Sequence, residues 1–209
     1  MKESLNSCDK SMKMRILLCV TSDITTDQRV NRIALSLKKL PAEVRVIGTK
    51  LPKSLPLPSN GLLFHRIHML FLKGPLFYAE YNLRLFFYLL FSQADIIVSN
   101  DLDTLAASFL ASRLKRITLV YDSHEYFTEQ PELIHRKFTQ RIWNMLEKWI
   151  LPHISYAYTV SPSISKAYQR KYGIQMAVIR NLPFRRQVPD STVIRKNKKF
   201  RIIYQGALN

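Results

Sequence analysis

The chain has 209 residues, enough for one sizeable core at the usual ~100–200 residues per domain, and its hydrophobic content of 47% excludes a disordered protein. Lys and Arg number 32 against 15 Asp and Glu, a net charge of +17, so the partners to expect are anionic: nucleic acid, acidic lipid headgroups or phosphorylated substrates. Two cysteines, Cys8 and Cys19, imply no disulfide framework and fit a reducing, cytoplasmic compartment.

Residues 1–13 are polar, lack the apolar stretch of a signal peptide, and are expected to be a disordered tail. Residues 15–20 read as a buried strand containing Cys19, which behaves there as a small hydrophobe. Thr25 and Gln28 have capping-box spacing. Val30, Ile33, Ala34, Leu37 and Leu40 then recur at helical spacing, predicting a helix that runs to about Pro41. A strand over 43–48, a proline-rich loop over 50–60 and a weaker strand over 62–67 follow.

Residues 76–91 are rich in Leu, Phe and Tyr. Their sixteen residues rise about 24 Å as a helix, short of the roughly 30 Å hydrocarbon core, and Glu80 and Arg84 are spaced to pair on one face. A helix packed on a sheet is expected, with its aromatics leaving surface contact with an anionic membrane open. Strand 95–99 leads into a helix over 102–114 with Leu105, Phe109 and Leu110 as its stripe, then strand 117–122. The helix over 137–151 places Ile142, Leu146, Trp149 and Ile150 on one side. Strand 154–160, a helix over 161–172 closed by Gly173, and strand 176–179 complete the pattern.

Strand alternates with helix throughout, which predicts an α/β protein: a Rossmann-like, mostly parallel sheet with helices on both faces over residues 14–182. Val20, Ile97, Val98, Leu119 and Val120 are its expected core. From Pro183 the chain turns basic and apolar-poor. Residues 183–209 read as a linker and the first strand, 200–204, of a second domain that is missing here.

Ligands of such sheets bind outside the carboxyl ends of the strands. The densest polar cluster at such an end is Asp122, Ser123, His124 and Glu125. His124 either acts on a substrate or caps a strand end by bonding backbone; Asp122 and Glu125 either orient it or make loop hydrogen bonds. Asn100, Asp101 and Asp103 leave another strand end, where carboxylates hold hydroxyls or act as a base, or where Asn and Asp cap the helix that follows. Capping is favoured for Asn100. Asp27 and Arg29 sit in a first helical turn, either an anion site or a solvated turn. His65 and His68 lack Cys or carboxylate partners, so no metal is expected. There is no Gly-x-Gly-x-x-Gly or phosphate-loop motif, and nothing of the helix-turn-helix, RNA-sheet or zinc patterns that would make nucleic acid the expected partner.

Asp27-Gln-Arg29, Ser99-Asn-Asp-Leu-Asp-Thr-Leu105, Tyr121-Asp-Ser-His-Glu125, Arg180-Asn-Leu-Pro183 and Ile203-Tyr-Gln-Gly206, in that order, resemble the family 4 glycosyltransferases. The resemblance implies two facing Rossmann-like domains, the GT-B arrangement, of which this chain is the N-terminal, acceptor-side half. It implies retaining transfer from a nucleotide-sugar donor to a saccharide or lipid-linked acceptor, with no metal or other cofactor. His124 would be the catalytic contact, Asp101, Asp103, Asp122 and Glu125 acceptor contacts, and Asp27 and Arg29 donor or phosphate contacts. The expected place is the cytoplasm, peripheral on the inner face of the membrane, and the half alone is expected to be inactive. The alternative is a basic, non-catalytic module for nucleic acid or anionic membrane.

Overall fold

The computed structural model describes residues 13–182 apart from 131, 132 and 134. The expected linker and the 200–204 strand lie outside the described residues, as does the tail before Lys13. Seven described strands form one wholly parallel sheet: β1 (Met14–Cys19), β2 (Ala42–Lys50), β3 (Leu63–His68), β4 (Ile96–Asn100), β5 (Thr118–Ser123), β6 (Tyr156–Thr159) and β7 (Ala177–Val178). Their order is β3-β2-β1-β4-β5-β6-β7. This is the Rossmann-like α/β architecture that the alternating pattern predicts.

The centre of the sheet follows from β1, which is apolar on both sides because both sides are covered. Ile16, Leu18 and Val20 face α1 (Gln28–Leu37), meeting Val30 and Ala34. Leu17 and Cys19 face the opposite layer, where α2 (Gly74–Phe91) supplies Tyr81, Leu85 and Leu89, and α3 (Leu105–Lys115) supplies Ala107 and Ala111. Leu18 is fully buried, worth about 1.5–3 kcal/mol of transfer free energy. Cys19 is a core hydrophobe, as expected, and burial pushes its thiol up to about 12. A third cluster joins Leu105, Phe109 and Tyr121 to Trp143 and Ile150 of α4 (Lys137–Ile150) and Tyr168 of α5 (Pro162–Tyr172). Val20, Ile97 and Val98 are buried as expected; Leu119 and Val120, which line cavities, are only half-buried.

Several local expectations are corrected by packing. The cap of α1 is Asp27, which accepts from the Val30 N–H at 3.0 Å, whereas Thr25 turns back to bond Asp23; the Thr25–Gln28 box does not form. The helix ends at Leu37, before Pro41. Leu110 of α3 is exposed. In α4 the buried face is Trp143, Glu147 and Ile150, while Ile142 and Trp149 point outward. Glu147 is wholly buried because two tyrosines reach it: Tyr168 donates at 3.0 Å and Tyr172 at 2.7 Å. Glu80 and Arg84 do pair, at 2.7 Å. Gly173, at φ +72°, closes α5 in the left-handed conformation that glycine adopts freely. No helix among the described residues is long and apolar enough to cross a membrane.

Gly48 of β2 sets the path of the chain after β1. A Cβ there would lie 2.4 Å from Ile24 Cγ2 and 2.8 Å from the Ser22 carbonyl oxygen, so the loop lies flat on β2 only over a glycine. Gly48→Ala is therefore expected to destabilise the protein by about 1–3 kcal/mol, read as a lowered denaturation midpoint with an unchanged slope.

Candidate active site

Strand order reverses between β1 and β4, where a parallel sheet opens a crevice beyond its carboxyl ends. Three segments converge there. The loop after β1 is held by Thr49 of β2, whose N–H donates to the Ser22 carbonyl at 3.1 Å and whose hydroxyl donates to the Thr21 carbonyl at 2.7 Å. Thr21 is thereby aimed at β4, and its hydroxyl donates to Asp103 Oδ2.

The turn after β4 is bent hard. Asp101 has φ +62° and ψ 172°, a region almost reserved for glycine that costs on the order of 1–3 kcal/mol. Its surroundings hold it. The Asp101 N–H donates to the Asp122 carbonyl at 2.8 Å, and the Thr104 hydroxyl donates to the Asn100 carbonyl at 3.0 Å. Asn82 of α2 donates to the Asp103 carbonyl at 2.7 Å and accepts from the Ala107 N–H at 3.2 Å. Asn100 is not a helix cap: its amide donates to the Cys19 carbonyl at 3.1 Å and ties β4 to β1.

The bend delivers the Asp101 carboxylate to His124. Oδ1 accepts the His124 backbone N–H at 3.3 Å, and Oδ2 lies 2.8 Å from ring Nδ1, near enough for an ion pair though off the line of a good hydrogen bond. With Nδ1 engaged, Nε2 is the ring nitrogen left for another partner. The His124 side chain is 30% exposed, so the imidazole reaches the crevice from a supported loop.

Asp122, one position nearer the strand, has no exposed surface and pairs with Arg29 of α1. Arg29 is therefore neither solvated nor free. One of its terminal nitrogens, Nη1, and Asp122 Oδ2 are buried without a hydrogen-bond partner among the described residues. Asp27 caps α1 and accepts from the Ser22 hydroxyl at 2.6 Å. Glu125 is exposed; its carbonyl accepts from the Ser123 hydroxyl at 2.9 Å, and its carboxylate accepts from the Gln130 amide. The expected site residues thus sort themselves. Asp101, Asp103, Asp122 and His124 come together, Glu125 stands at their edge, and Arg29 supports them from α1. Thr21 and Asn82 were missed by sequence reasoning, because nothing in a lone Thr or Asn announces a long-range partner.

A cavity of ≈ 380 Å³ lies against the α1 face of the sheet rather than in the crevice, walled by Ile16, Ile33, Val98 and Val120 with Arg29 and Tyr158. Among the described residues no three His, Cys, Asp or Glu side chains gather as a metal would need. His65 instead stacks on Tyr88, ring centroids 4.0 Å apart.

Crowded charge sets the protonation states. Burial, and then the nearby Asp101 charge, push the Asp103 carboxyl up to about 7. Burial raises Asp122 as well, with Arg29 opposing. Burial alone would depress His124, but contact with Asp101 and its charge outweigh that, and the imidazole is raised. Asp103 is raised from 3.8, so the folded state binds its proton more tightly than the unfolded chain does. Its contribution to stability is complete below the unfolded value and is lost as pH climbs through about 7. His124, raised above its ordinary 6.5, acts in the same direction. Asp103→Asn is expected to flatten the fall in Tm between pH 5 and pH 8 and to melt several degrees above the wild type at pH 8, measured by thermal denaturation across pH.

Comparison with known proteins places this geometry. Sucrose-phosphate synthase from Thermosynechococcus elongatus superposes with a TM-score of 0.56 at 15% identity, over 79% of this chain and 47% of that one. The Anabaena protein HepE, in complex with UDP and glucose, superposes at 0.53 and 20% identity, over 80% and 44%. UDP-GlcNAc 2-epimerase from Methanocaldococcus jannaschii does so at 0.51 and 18%, over 81% and 46%. At these identities the likeness is one of fold, and the chain spans less than half the length of each structure. No curated protein matches the sequence. The sequence model of Glycosyltransferase Family 4 matches residues 27–182, from the cap of α1 to the last described residue, and includes the β4 and β5 exits that carry Asp101, Asp103, Asp122 and His124. This chain belongs to Glycosyltransferase Family 4.

Proposed function

We propose that the chain is the acceptor-binding half of a retaining glycosyltransferase, which moves a sugar from a nucleotide-sugar donor to a lipid-linked or envelope saccharide. The observation that carries this reading is the pair Asp101–His124: a strained carboxylate holding an imidazole at the crevice where the sheet order reverses. Transfer builds charge at the sugar and at the departing diphosphate. A positioned ring N–H that meets such charge is worth most in the transition state, which is where rate is gained. Nε2 of His124 is that donor, and Asp101 keeps the ring oriented and favours its protonated form.

The other carboxylates divide by burial. Asp101 and Glu125 are reachable and hold acceptor hydroxyls. Asp103 and Asp122, both buried, support the site from behind, Asp103 through Thr21 and Asp122 through Arg29. The donor's diphosphate requires cations from a facing domain and no metal, so the half by itself binds acceptor without turning over. The enzyme works in the cytoplasm, held peripherally to the inner face of the membrane through its basic surface.

His124→Ala, in the protein joined to its donor-side domain, is expected to lower kcat by about 10²–10³ while acceptor KM changes little. Steady-state assay with radiolabelled nucleotide-sugar checks this, and an unaltered kcat would reduce His124 to a loop-former. The 209-residue chain alone is expected to show no transfer in the same assay; robust turnover by it would overturn the half-enzyme reading.

A further inference from the structure

Between Glu43 and Glu80 the sequence contains no carboxylate side chain, while Arg45, Lys50, Lys53, Arg66 and Lys73 fall in that interval. The same stretch carries a dense set of exposed aliphatic and aromatic side chains. Leu70 is 78% exposed, and Phe71, Leu72, Leu76, Leu55 and Leu57 are exposed with it. Two loops meet at the β3 edge of the sheet, where Lys50, Leu51 and Pro52 face His68, Met69, Leu70 and Leu72 across a shallow cleft of ≈ 250 Å³. The Arg66 guanidinium bonds the Leu55 carbonyl and holds the first loop to β3.

Three consecutive apolar residues on a loose loop would fold back on themselves, and this loop is prevented from doing so. Glu80, from the second turn of α2, accepts the Leu70 N–H at 3.0 Å and the Phe71 N–H at 2.9 Å, and Arg84 anchors the carboxylate at 2.7 Å. The clamp satisfies the backbone of the tip and leaves its side chains outward. Glu80, the acidic group nearest in sequence, is thereby occupied, so the field at the tip is that of Lys50, Lys53 and Lys73, all exposed.

We propose that the clamped tip Leu70-Phe71-Leu72, with the exposed Leu55, Leu57 and Leu76 of the adjoining segments and the exposed Lys50, Lys53 and Lys73, is a docking surface for an anionic lipid bilayer. Protruding apolar side chains suit a fluid interface better than a fitted pocket, and lysines that ring them match acidic headgroups. Because the tip stands at the carboxyl edge of the sheet, docking turns the crevice toward the membrane surface, where a lipid-linked acceptor lies. The membrane attachment and the orientation rest on the function proposed above; what is added is the surface that binds. The apolar stripe on α4, Phe138, Ile142, Met145 and Trp149, is a second exposed apolar face and serves as the comparison.

The test is flotation of the full chain with phosphatidylcholine vesicles made with and without phosphatidylglycerol, in the absence of any donor or acceptor. The wild type is expected to float with the anionic vesicles, to stay behind with neutral ones, and to be released by salt. Leu70→Ser/Phe71→Ser/Leu72→Ser is expected to lower partitioning at least ~10-fold while Tm is preserved, since these side chains support no core. Each of Lys50→Gln, Lys53→Gln and Lys73→Gln is expected to weaken binding about fivefold, the equivalent of ~1 kcal/mol per basic side chain. Phe138→Ser/Met145→Ser is expected to bind as the wild type does. Equal binding to both vesicle types, undiminished binding by the loop variant, loss confined to the α4 variant, or a loop-dependent self-association seen by light scattering without vesicle binding would each overturn the proposal. Because no sugar is transferred in this experiment, its failure leaves the transferase reading standing, and an inactive enzyme that still floats leaves the docking surface standing.

Discussion

Three carboxylates, Asp101, Asp103 and Asp122, crowd the ends of β4 and β5, and their mutual repulsion organises the crevice. Like charges so close in a medium of low dielectric do not all remain ionised without compensation. Each is answered differently. Asp122 has Arg29, brought from α1; Asp101 has the His124 ring; Asp103 has the Thr21 hydroxyl and, around neutrality, a proton. The β1–α1 loop, the start of α1 and the β5 exit are all held where these partners must stand. A buried ion pair such as Arg29–Asp122 gains little net stability over a well-packed apolar pair. What it does here is fix α1 against β5.

The backbone of this arrangement is as specialised as its charges. Asp101 adopts a conformation that an L side chain avoids, and the hydrogen bonds from Thr104 and Asn82, with the one its own N–H donates to the Asp122 carbonyl, keep it there. Behind the His124 loop a second polar chain runs inward. Ser123 bonds the Glu125 carbonyl and lies 3.3 Å from the Tyr168 hydroxyl, which in turn donates to the buried Glu147. The loop that carries the imidazole is thus braced by α4 and α5 as well as by β4.

The fold was legible because it rests on period and burial, both written locally. The apolar runs of β1, β4 and β5 are continuous in the sequence, as a doubly covered parallel sheet demands. The site was partly legible for the same reason: polar clusters at strand ends are conspicuous, and His124 and the three aspartates were found that way. What escaped is what depends on distant neighbours. Asn100 looks like a helix cap and bonds β1 instead; Arg29 reads as an anion contact or a solvated residue and is paired across ninety-odd positions with Asp122. The faces of α4 were misassigned because Glu147 lies inside, drawn there by hydroxyls from α5 that no helical wheel of α4 contains. Thr25 looks like the cap of α1, but its hydroxyl and N–H are taken by Asp23, and Asp27 caps instead.

The left-handed backbone at Asp101 has a consequence for which substitutions this position can accept during descent. Eighteen of the nineteen possible substitutions would keep the strain. Glycine alone would relax the main chain, and it would do so by discarding the group that steadies His124. The residue that folds best at this turn and the residue that serves the crevice best are therefore different. At this turn a single substitution would exchange main-chain strain for the loss of the carboxylate that faces His124, so the strain and the aspartate–imidazole contact cannot be separated.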